Sequence, residues 1–316
     1  MKLSHFAKYA WGVLAFNIAV ILWGTYVRAT GSGGGCGGHW PLCNGQVIPR
    51  APAVETLIEI SHRGSVGIAF ALVSVMLVWA FRAYPKKHPV RTGAALSMAF
   101  FISESLVGAA LVLLELVAHN ASLTRAFSTS AHLVNTFILV ACMTLTAWWA
   151  SGGKPLRLRD GAALPLGIGA LAMMVLGMSG AVAALGDALF PAASLAEGLA
   201  QDSSPTAHVF IQLRIYHPFI GVGVGLTLMV LAGMYGISDR NLTTKWLAAV
   251  LIVLVMTQWI AGILNVLLLA PIWMQIVHLF LADAVWITFV LMAARVLTRG
   301  AESAGVTGEL ATARAK

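Results

Sequence analysis

Residues 56–81 read TLIEISHRGSVGIAFALVSVMLVWAF. After a short start that contains Glu59, His62 and Arg63, this stretch is almost wholly apolar. A helix needs roughly 20 predominantly apolar residues to cross the hydrocarbon core of a bilayer, so the stretch predicts a membrane span. Titratable side chains inside a span are costly, and each one therefore needs a partner or a purpose. The polar start of this span is thus the first candidate site.

Seven other stretches have the same character, which brings the predicted number of spans to eight. They cover residues 8–28, 56–81, 92–117, 127–150, 161–186, 207–236, 244–269 and 271–297. Of the 316 residues, 59% are hydrophobic and only 10% are charged, whereas a soluble domain has about 25% charged residues. The composition excludes a water-soluble enzyme, a disordered chain and a nucleic-acid-binding protein. We expect an all-α integral membrane protein in a lipid bilayer.

The basic residues predict the orientation of the spans. The chain has 20 Lys and Arg against 12 Asp and Glu, a net charge of +8. With the N-terminus inside, 15 of the 20 basic residues fall in cytoplasmic segments, as the positive-inside rule requires. We therefore expect a multi-pass protein of the plasma membrane with both termini in the cytoplasm. The asymmetry also explains most of the net charge without a nucleic-acid partner.

Two cysteines lie in the first outer loop, GSGGGCGGHWPLCNG (residues 31–45). The outer side of the membrane is oxidising, so Cys36 and Cys43 are predicted to form a disulfide. A redox-active or metal-binding thiol pair is the alternative. Cys142, inside the fourth span, is expected to be a small core residue.

Four histidines are predicted to lie at one depth in the membrane. Each is in an even-numbered span, some 6–10 residues past the outer end: His62, His132, His217 and His278. At 1.5 Å of rise per residue they share one layer toward the outer face. One such histidine alone is more often a hydrogen-bonding residue, but haem iron takes axial ligands from opposite faces of its ring. Spans two and four supply one facing pair, and spans six and eight supply another.

The distances between these histidines predict an internal repeat. His62 and His132 are 70 residues apart, and His217 and His278 are 61 residues apart. The surrounding sequences are similar, as in SAHLVNTFILV of the fourth span and IVHLFLADAVW of the eighth. Because each copy has four spans, both copies have the same orientation about an axis along the membrane normal. We expect eight transmembrane helices in two tandem four-helix bundles with pseudo-twofold symmetry.

The repeat divides the chain into three parts. Residues 1–150 form the N-terminal four-helix half, and residues 151–299 form the C-terminal half. Residues 300–316 are small and polar and are expected to form a disordered cytoplasmic tail. The outer loop of residues 187–206 is long and polar, and the sequence assigns it no chemistry.

The two halves differ just before their first histidines. Glu59 is one helical turn before His62 and shares its face, whereas Arg214 has the matching place before His217. A carboxylate at a haem site inside a membrane can act as a general base. A buried ion pair with Arg63 is the alternative.

Three arginines are candidates to neutralise haem propionates: Arg28, Arg63 and Arg214.

Glu104, in the third span, has two interpretations. It either lines the site of a substrate haem or bonds to a neighbouring helix, and the sequence does not decide between these two roles. His208, at the end of the long outer loop, is expected to be a surface residue.

Two segments carry a resemblance to a known family. They are RATGSGGGCGGHWPLCNG (residues 28–45) and IEISHRGSVG (residues 58–67), which match the TGSGxxCxxWPLC-type loop and the ExxHR motif of haem A synthases. Over residues 8–297 the chain resembles this family of membrane oxidoreductases. The resemblance implies oxidation of the C8 methyl of haem O to a formyl group through hydroxylated intermediates. The product, haem A, serves the assembly of terminal oxidases.

The resemblance also implies residue roles by position. The N-terminal half would be catalytic and bind the substrate haem, and the C-terminal half would retain a b-type haem as cofactor. The implied positions are Glu59 as the catalytic residue, His62 and His132 as ligands of the substrate haem, His217 and His278 as axial ligands of haem b, and Cys36 and Cys43 as a disulfide.

Haem O synthase is the expected source of the substrate, and an unidentified electron donor is expected as a second partner.

A dihaem b-type membrane electron carrier is the main alternative to this enzyme, because the placement of the histidines fits it equally well. A transporter with a parallel repeat is a further alternative, but such sites tend to lie near the midplane of the membrane.

Overall fold

A computed structural model describes residues 3–156, 161–237, 239 and 241–298. The expected tail of residues 300–316 lies outside the described residues. Ten α-helices account for nearly all the regular structure of the described part. They are α1 (His5–Ala29), α2 (Val54–Ala83), α3 (Pro89–Leu113), α4 (Leu123–Ala150), α5 (Ala163–Leu189), α6 (Leu195–Ser203), α7 (Val209–Arg214), α8 (Tyr216–Ala232), α9 (Leu242–Leu267) and α10 (Ile272–Val296).

Eight stretches of helix are long and apolar enough to cross a membrane, which confirms the predicted number of spans. Seven of them are single helices. The sixth, Val209–Gly236, combines α7, α8 and the start of a π-helical turn. The all-helical membrane class predicted from composition is therefore confirmed within the described residues.

The interruption of the sixth span follows from its sequence. Pro218 has no backbone N–H and cannot bond to the carbonyl of Arg214 four residues earlier. The regular helix ends at Arg214 and resumes at Tyr216. His217 is therefore the second residue of a new helix, directly beside the discontinuity.

The third span ends earlier than predicted, at Leu113 instead of residue 117. Glu115 has a φ of +54° and donates its N–H to the carbonyl of Val112, while Leu116 donates to Leu111. This pair of bonds is a Schellman cap. The seventh span ends in the same way, with Leu269 at a φ of +61°. Corresponding helices of the two halves thus share one type of C-terminus, for which the usual glycine signal is missing.

The helices pack in two groups of four. In the first half, α1 contacts α2 and α4, and α3 contacts α2 and α4. In the second half, α8 contacts α5 and α9, and α10 contacts α9 and α5. The halves meet where α4 packs on α5 and α10 and where α1 packs on α10. These contacts agree with two tandem bundles, and the pseudo-twofold relation between them stays a prediction.

One hydrogen bond ties the halves together deep in the protein. The indole N–H of Trp286 on α10 donates to the carbonyl of Phe137 on α4 at 2.7 Å. The two rings also stack, with centroids 5.5 Å apart. Trp286 is 2% exposed, so its N–H cannot donate to water or lipid instead.

We expect Trp286→Phe to lower the melting temperature of the purified protein in detergent. It removes one buried hydrogen bond and part of the ring contact, a loss of at least about 1 kcal/mol. Trp273→Phe is the matched control, because Trp273 lies on the same helix but is 57% exposed. Equal melting temperatures for the two variants would contradict a role of Trp286 in joining the halves.

Candidate functional site

The four predicted histidines lie at similar positions in their spans. Each is six to nine residues after the first residue of its span, about 9–14 Å along the helix axis. All four are half-buried; the side chain of His132, for example, is 32% exposed. Their rings are accessible to a ligand, unlike the packed residues around them.

The histidines approach each other in the pairs predicted from the sequence. The rings of His217 and His278 have centroids 6.4 Å apart and lie nearly perpendicular to each other. His62 and His132 are close enough to interact electrostatically. A metal–imidazole bond is about 2.0 Å long, so the separation of His217 and His278 leaves room for a metal ion between them.

Each histidine faces a glycine of the preceding span. A Cβ added to the glycine would lie 3.0–3.7 Å from the nearest ring atom. The pairs are Gly24 with His62, Gly108 with His132, Gly180 with His217 and Gly262 with His278. At Gly24, Gly180 and Gly262 the added Cβ would be closer to the imidazole than an ordinary contact, whereas at Gly108 the contact of 3.7 Å would be ordinary. The same pairing in all four places agrees with the internal repeat.

The donor set fits haem. Among the described residues, no group of three or more His, Cys, Asp and Glu side chains is arranged to hold a bare metal ion. Two imidazoles from facing helices are what a haem iron takes as axial ligands. The residues present are therefore suited to two bis-histidine haem sites.

Glu59 is the most completely bonded carboxylate near these histidines. It is 3% exposed, and its Oε1 accepts from Arg63 Nη2 at 2.5 Å and from Arg63 Nε at 3.1 Å. Its Oε2 accepts the backbone N–H of Cys36 at 2.8 Å. The ion pair with Arg63, one of the two alternatives from the sequence, is thus present. It leaves Glu59 on the same face as His62, one turn away.

The first outer loop is fixed to α2 through this ion pair. Arg63 Nη1 donates to the carbonyls of His39 and Leu42, both at 2.8 Å. The predicted disulfide between Cys36 and Cys43 is confirmed and closes the loop between these contacts. One charged pair therefore sets the position of the loop and of the carboxylate together.

The loop can approach α2 so closely because residue 35 is a glycine. A Cβ at Gly35 would lie 2.5–2.6 Å from the backbone of Glu55 and Thr56. The carbonyl of Gly35 accepts the Thr56 hydroxyl at 2.7 Å. Backbone-to-backbone contact at this point brings the next N–H, that of Cys36, within reach of Glu59.

The second half has a similar arrangement with the charges reversed. Arg214 Nε donates to Asp202 at 2.7 Å, and its Nη1 donates to Asp187 at 3.2 Å. Asp202 is in α6, which the long outer loop forms. The sequence assigned this loop no chemistry, and the structure shows that it is anchored one turn before His217. The guanidinium of Arg214 is therefore already paired, and its contact with a propionate stays a prediction.

Arg28 joins the two halves near their outer ends. From α1 it donates to the carbonyl of Ala184 on α5 at 2.9 Å and to Gln275 Oε1 on α10 at 2.8 Å. The amide of Gln275 in turn donates to the carbonyl of Ala270. A structural role across the interface is therefore present, and the propionate role predicted for Arg28 stays untested.

Of the two alternatives for Glu104, the bond to a neighbouring helix is present, and a place at the substrate haem stays a prediction. Its Oε2 accepts from Asn135 Nδ2 at 2.6 Å and its Oε1 accepts from the Thr136 hydroxyl, so it bonds to the neighbouring helix α4. Its Oε1 is also 3.3 Å from His132 Nδ1. Glu104 was predicted as a candidate, but Asn135 and Thr136 were not. Their signal in the sequence is that they are polar residues three and four positions after His132.

The other two histidine contacts were also missed. Ser179 on α5 is 2.9 Å from His217 Nδ1, and Gln258 on α9 is 3.2 Å from His278 Nε2. His208, expected at the surface, caps α7 by accepting the N–H of Phe210.

Comparison with known proteins places these features in a family. The family model COX15-CtaA, described as cytochrome oxidase assembly protein, matches residues 7–290. Heme A synthases of Bacillus mycoides and Bacillus cereus are 42% identical over 95 residues, which is 30% of this chain and 30% of each enzyme. The resemblance to haem A synthases predicted from the first outer loop and the ExxHR motif is confirmed.

A longer relative carries a different name. A protein of Thermus thermophilus, named protoheme IX farnesyltransferase, is 56% identical over 232 residues. The match covers 73% of this chain and 38% of the Thermus protein. The chain therefore spans less than two-fifths of the length of this relative, and most of the Thermus protein lies outside the match.

We expect Gly35→Ala to detach the first outer loop from α2, because the added Cβ overlaps the backbone of that helix. Tryptic cleavage after the exposed Arg50 should then become severalfold faster in the detergent-solubilised protein. Gly38→Ala is the matched control, since its Cβ would meet only Glu115 Oε1 at an ordinary 3.6 Å. Unchanged cleavage of Gly35→Ala would show that the loop does not depend on this contact.

Proposed function

Since the chain belongs to the COX15-CtaA family of cytochrome oxidase assembly proteins, we propose that it is a haem A synthase. In this proposal it oxidises the C8 methyl of haem O to a formyl group by way of hydroxylated intermediates. The observation that carries the proposal is the placement of Glu59, held by Arg63 and the Cys36 N–H one turn before His62. A protein that only transfers electrons needs no carboxylate at this position.

The reaction has a definite balance. If the added oxygen is counted as coming from water, the conversion of a methyl to a formyl group removes four electrons and releases four protons. A redox partner must therefore exchange electrons with the site, and a base must accept protons beside the substrate. Glu59 Oε2 accepts one backbone N–H, and a carboxylate oxygen can accept a second hydrogen. This oxygen is the proposed proton acceptor.

The two histidine pairs have different proposed tasks. His62 and His132 hold the substrate haem, because Glu59 lies on their side of the protein. His217 and His278 hold a b-type haem, which supplies one-electron transfer when bound. Arg214 next to this second pair is neutralised by Asp187 and Asp202, so no free carboxylate adjoins His217 at the position matching Glu59.

The surrounding residues orient and enclose the substrate. Arg63 holds Glu59 and, with Arg28 and Arg214, is a candidate for contact with haem propionates. The disulfide-closed loop covers the outer side of the Glu59 carboxylate and limits access of water to it. In this proposal the protein lies in the plasma membrane with both termini in the cytoplasm and both haem sites toward the outer face.

Haem O synthase is the proposed partner that delivers the substrate. The Thermus relative is named a protoheme IX farnesyltransferase and includes a segment 56% identical to this chain. The Thermus protein thus combines the name of a farnesyltransferase with a segment similar to this chain. This supports the proposal that the enzyme that farnesylates protohaem and the enzyme that uses its product lie close together. The electron donor is unidentified.

We expect Glu59→Gln to lower haem A formation about 100-fold or more, the usual contribution of a general base. The absorbance spectrum of bound haem should change little, because the histidines remain. The measurement is haem extraction from membranes that also contain haem O synthase, followed by chromatography and mass spectrometry. The control is Glu55→Gln, one turn earlier on α2 and exposed. Full haem A formation by Glu59→Gln would exclude Glu59 as the base and favour the ion-pair alternative.

We expect His278→Ala to remove the b-type haem and leave haem bound by the first half. The loss of one axial imidazole should abolish the low-spin bis-histidine signal of that site. Absorbance and electron paramagnetic resonance spectra of the purified variant measure this. His119→Ala, at an exposed loop position, is the control. A spectrum identical to that of the unmodified protein would contradict the assignment of His278 as a ligand.

A further inference from the structure

Glu104 on α3 contacts a proposed haem ligand from the side opposite the iron-binding nitrogen. Its Oε1 is 3.3 Å from Nδ1 of His132, and within the described residues Nδ1 has no hydrogen bond. The two atoms are within hydrogen-bonding distance, but the contact does not have the alignment of a hydrogen bond. No other carboxylate among the described residues pairs with one of the four histidines.

The carboxylate of Glu104 is held in place by its own partners. Asn135 Nδ2 donates to Oε2 at 2.6 Å, and the Thr136 hydroxyl donates to Oε1. Asn135 is fixed in turn, because it accepts from Ser103 at 2.8 Å and donates to the carbonyl of Phe100 at 3.0 Å. The carboxylate cannot turn away from His132 without breaking its bonds to Asn135 and Thr136, which makes it a preorganised acceptor.

The second half has no counterpart of this network. Gln258 has the place of Glu104, and its Nε2 lies by Nε2 of His278, not by Nδ1. The positions that match Asn135 and Thr136 are Leu281 and Ala282. The polar cluster is therefore specific to the half that contains Glu59.

We propose that Glu104 is a positioning residue that accepts the Nδ1–H of His132 and thereby fixes its tautomer and strengthens it as an axial ligand. A carboxylate behind a ligating histidine orients the ring and raises the basicity of the ligand. Hydrogen bonding behind the axial ligand is one of the factors by which a protein sets a haem potential. This inference rests on the proposed function, since it requires haem at His62 and His132.

The consequence is a difference between the two haem sites. With Nδ1–H directed to a carboxylate, the lone pair of Nε2 is left for the iron, and the donated electron density stabilises the oxidised haem. Within the described part of the chain, the hydrogen-bond partner of His217 Nδ1 is a neutral hydroxyl, that of Ser179. The hydrogen bond from His132 to the carboxylate should therefore give the haem of the first half a lower midpoint potential than the haem of the second half.

The test is a redox titration of purified protein loaded by co-expression with haem O synthase. The haem of the first half is identified as the component that disappears in His132→Ala. We expect Glu104→Gln to raise the midpoint potential of that component and to leave the other unchanged. Glu104→Asp, which keeps the charge but withdraws the oxygen by one methylene, should also raise it. Glu115→Gln, just past the end of α3 and exposed, is the control without effect.

The outcomes separate this inference from the proposed function. If His132→Ala has the same haem components as the unmodified protein, the haem assignment fails, and this inference fails with it. If the component is present but keeps its potential in Glu104→Gln and Glu104→Asp, only the role of Glu104 is overturned. The melting temperature distinguishes a purely structural effect, because a structural role alone would lower stability without shifting the potential.

Discussion

The ion pair between Glu59 and Arg63 is the interaction on which the proposed substrate site depends. A carboxylate in a membrane span carries a large desolvation cost unless it is paired and hydrogen-bonded. Here the side chain of Arg63 satisfies one oxygen, and a backbone N–H of the outer loop satisfies the other. Removing either partner leaves the carboxylate of Glu59 incompletely paired in an apolar environment. The loop, the helix and the carboxylate therefore stabilise one another.

This coupling explains several features of the sequence at once. The loop must lie against α2 at backbone distance, which requires glycine at position 35, and it must hold its shape, which the Cys36–Cys43 bridge supports. The second half uses the same principle with a half-buried arginine, Arg214, which pairs with Asp187 near the end of α5 and with Asp202 in α6. In both halves a charge one turn before a histidine anchors an outer segment. The sign of that charge is the difference between the two halves at this position.

Much of the fold was predictable because membrane spans depend on composition and length. Eight apolar stretches, the histidine of each even-numbered span and the disulfide could be identified from residue types and spacing alone. The C-terminus of α3 could not, because its Schellman cap uses Glu115 at positive φ where glycine is the usual signal. The network of Glu104, Asn135 and Thr136 could not be predicted either, since it depends on the rotation of α3 against α4, which no local pattern specifies. One partner of Arg214, Asp202, comes from an outer segment whose path is set by tertiary contacts.

The proposed function requires the substrate haem to lie between His62 and His132, with its reacting methyl beside Glu59. The most direct test is an experimental structure of the Glu59→Gln protein purified with haem O, in which turnover is blocked. We expect haem O ligated by His62 and His132, with the C8 methyl toward residue 59, and haem b at His217 and His278. Haem O at the second pair, or a C8 methyl directed away from residue 59, would contradict it.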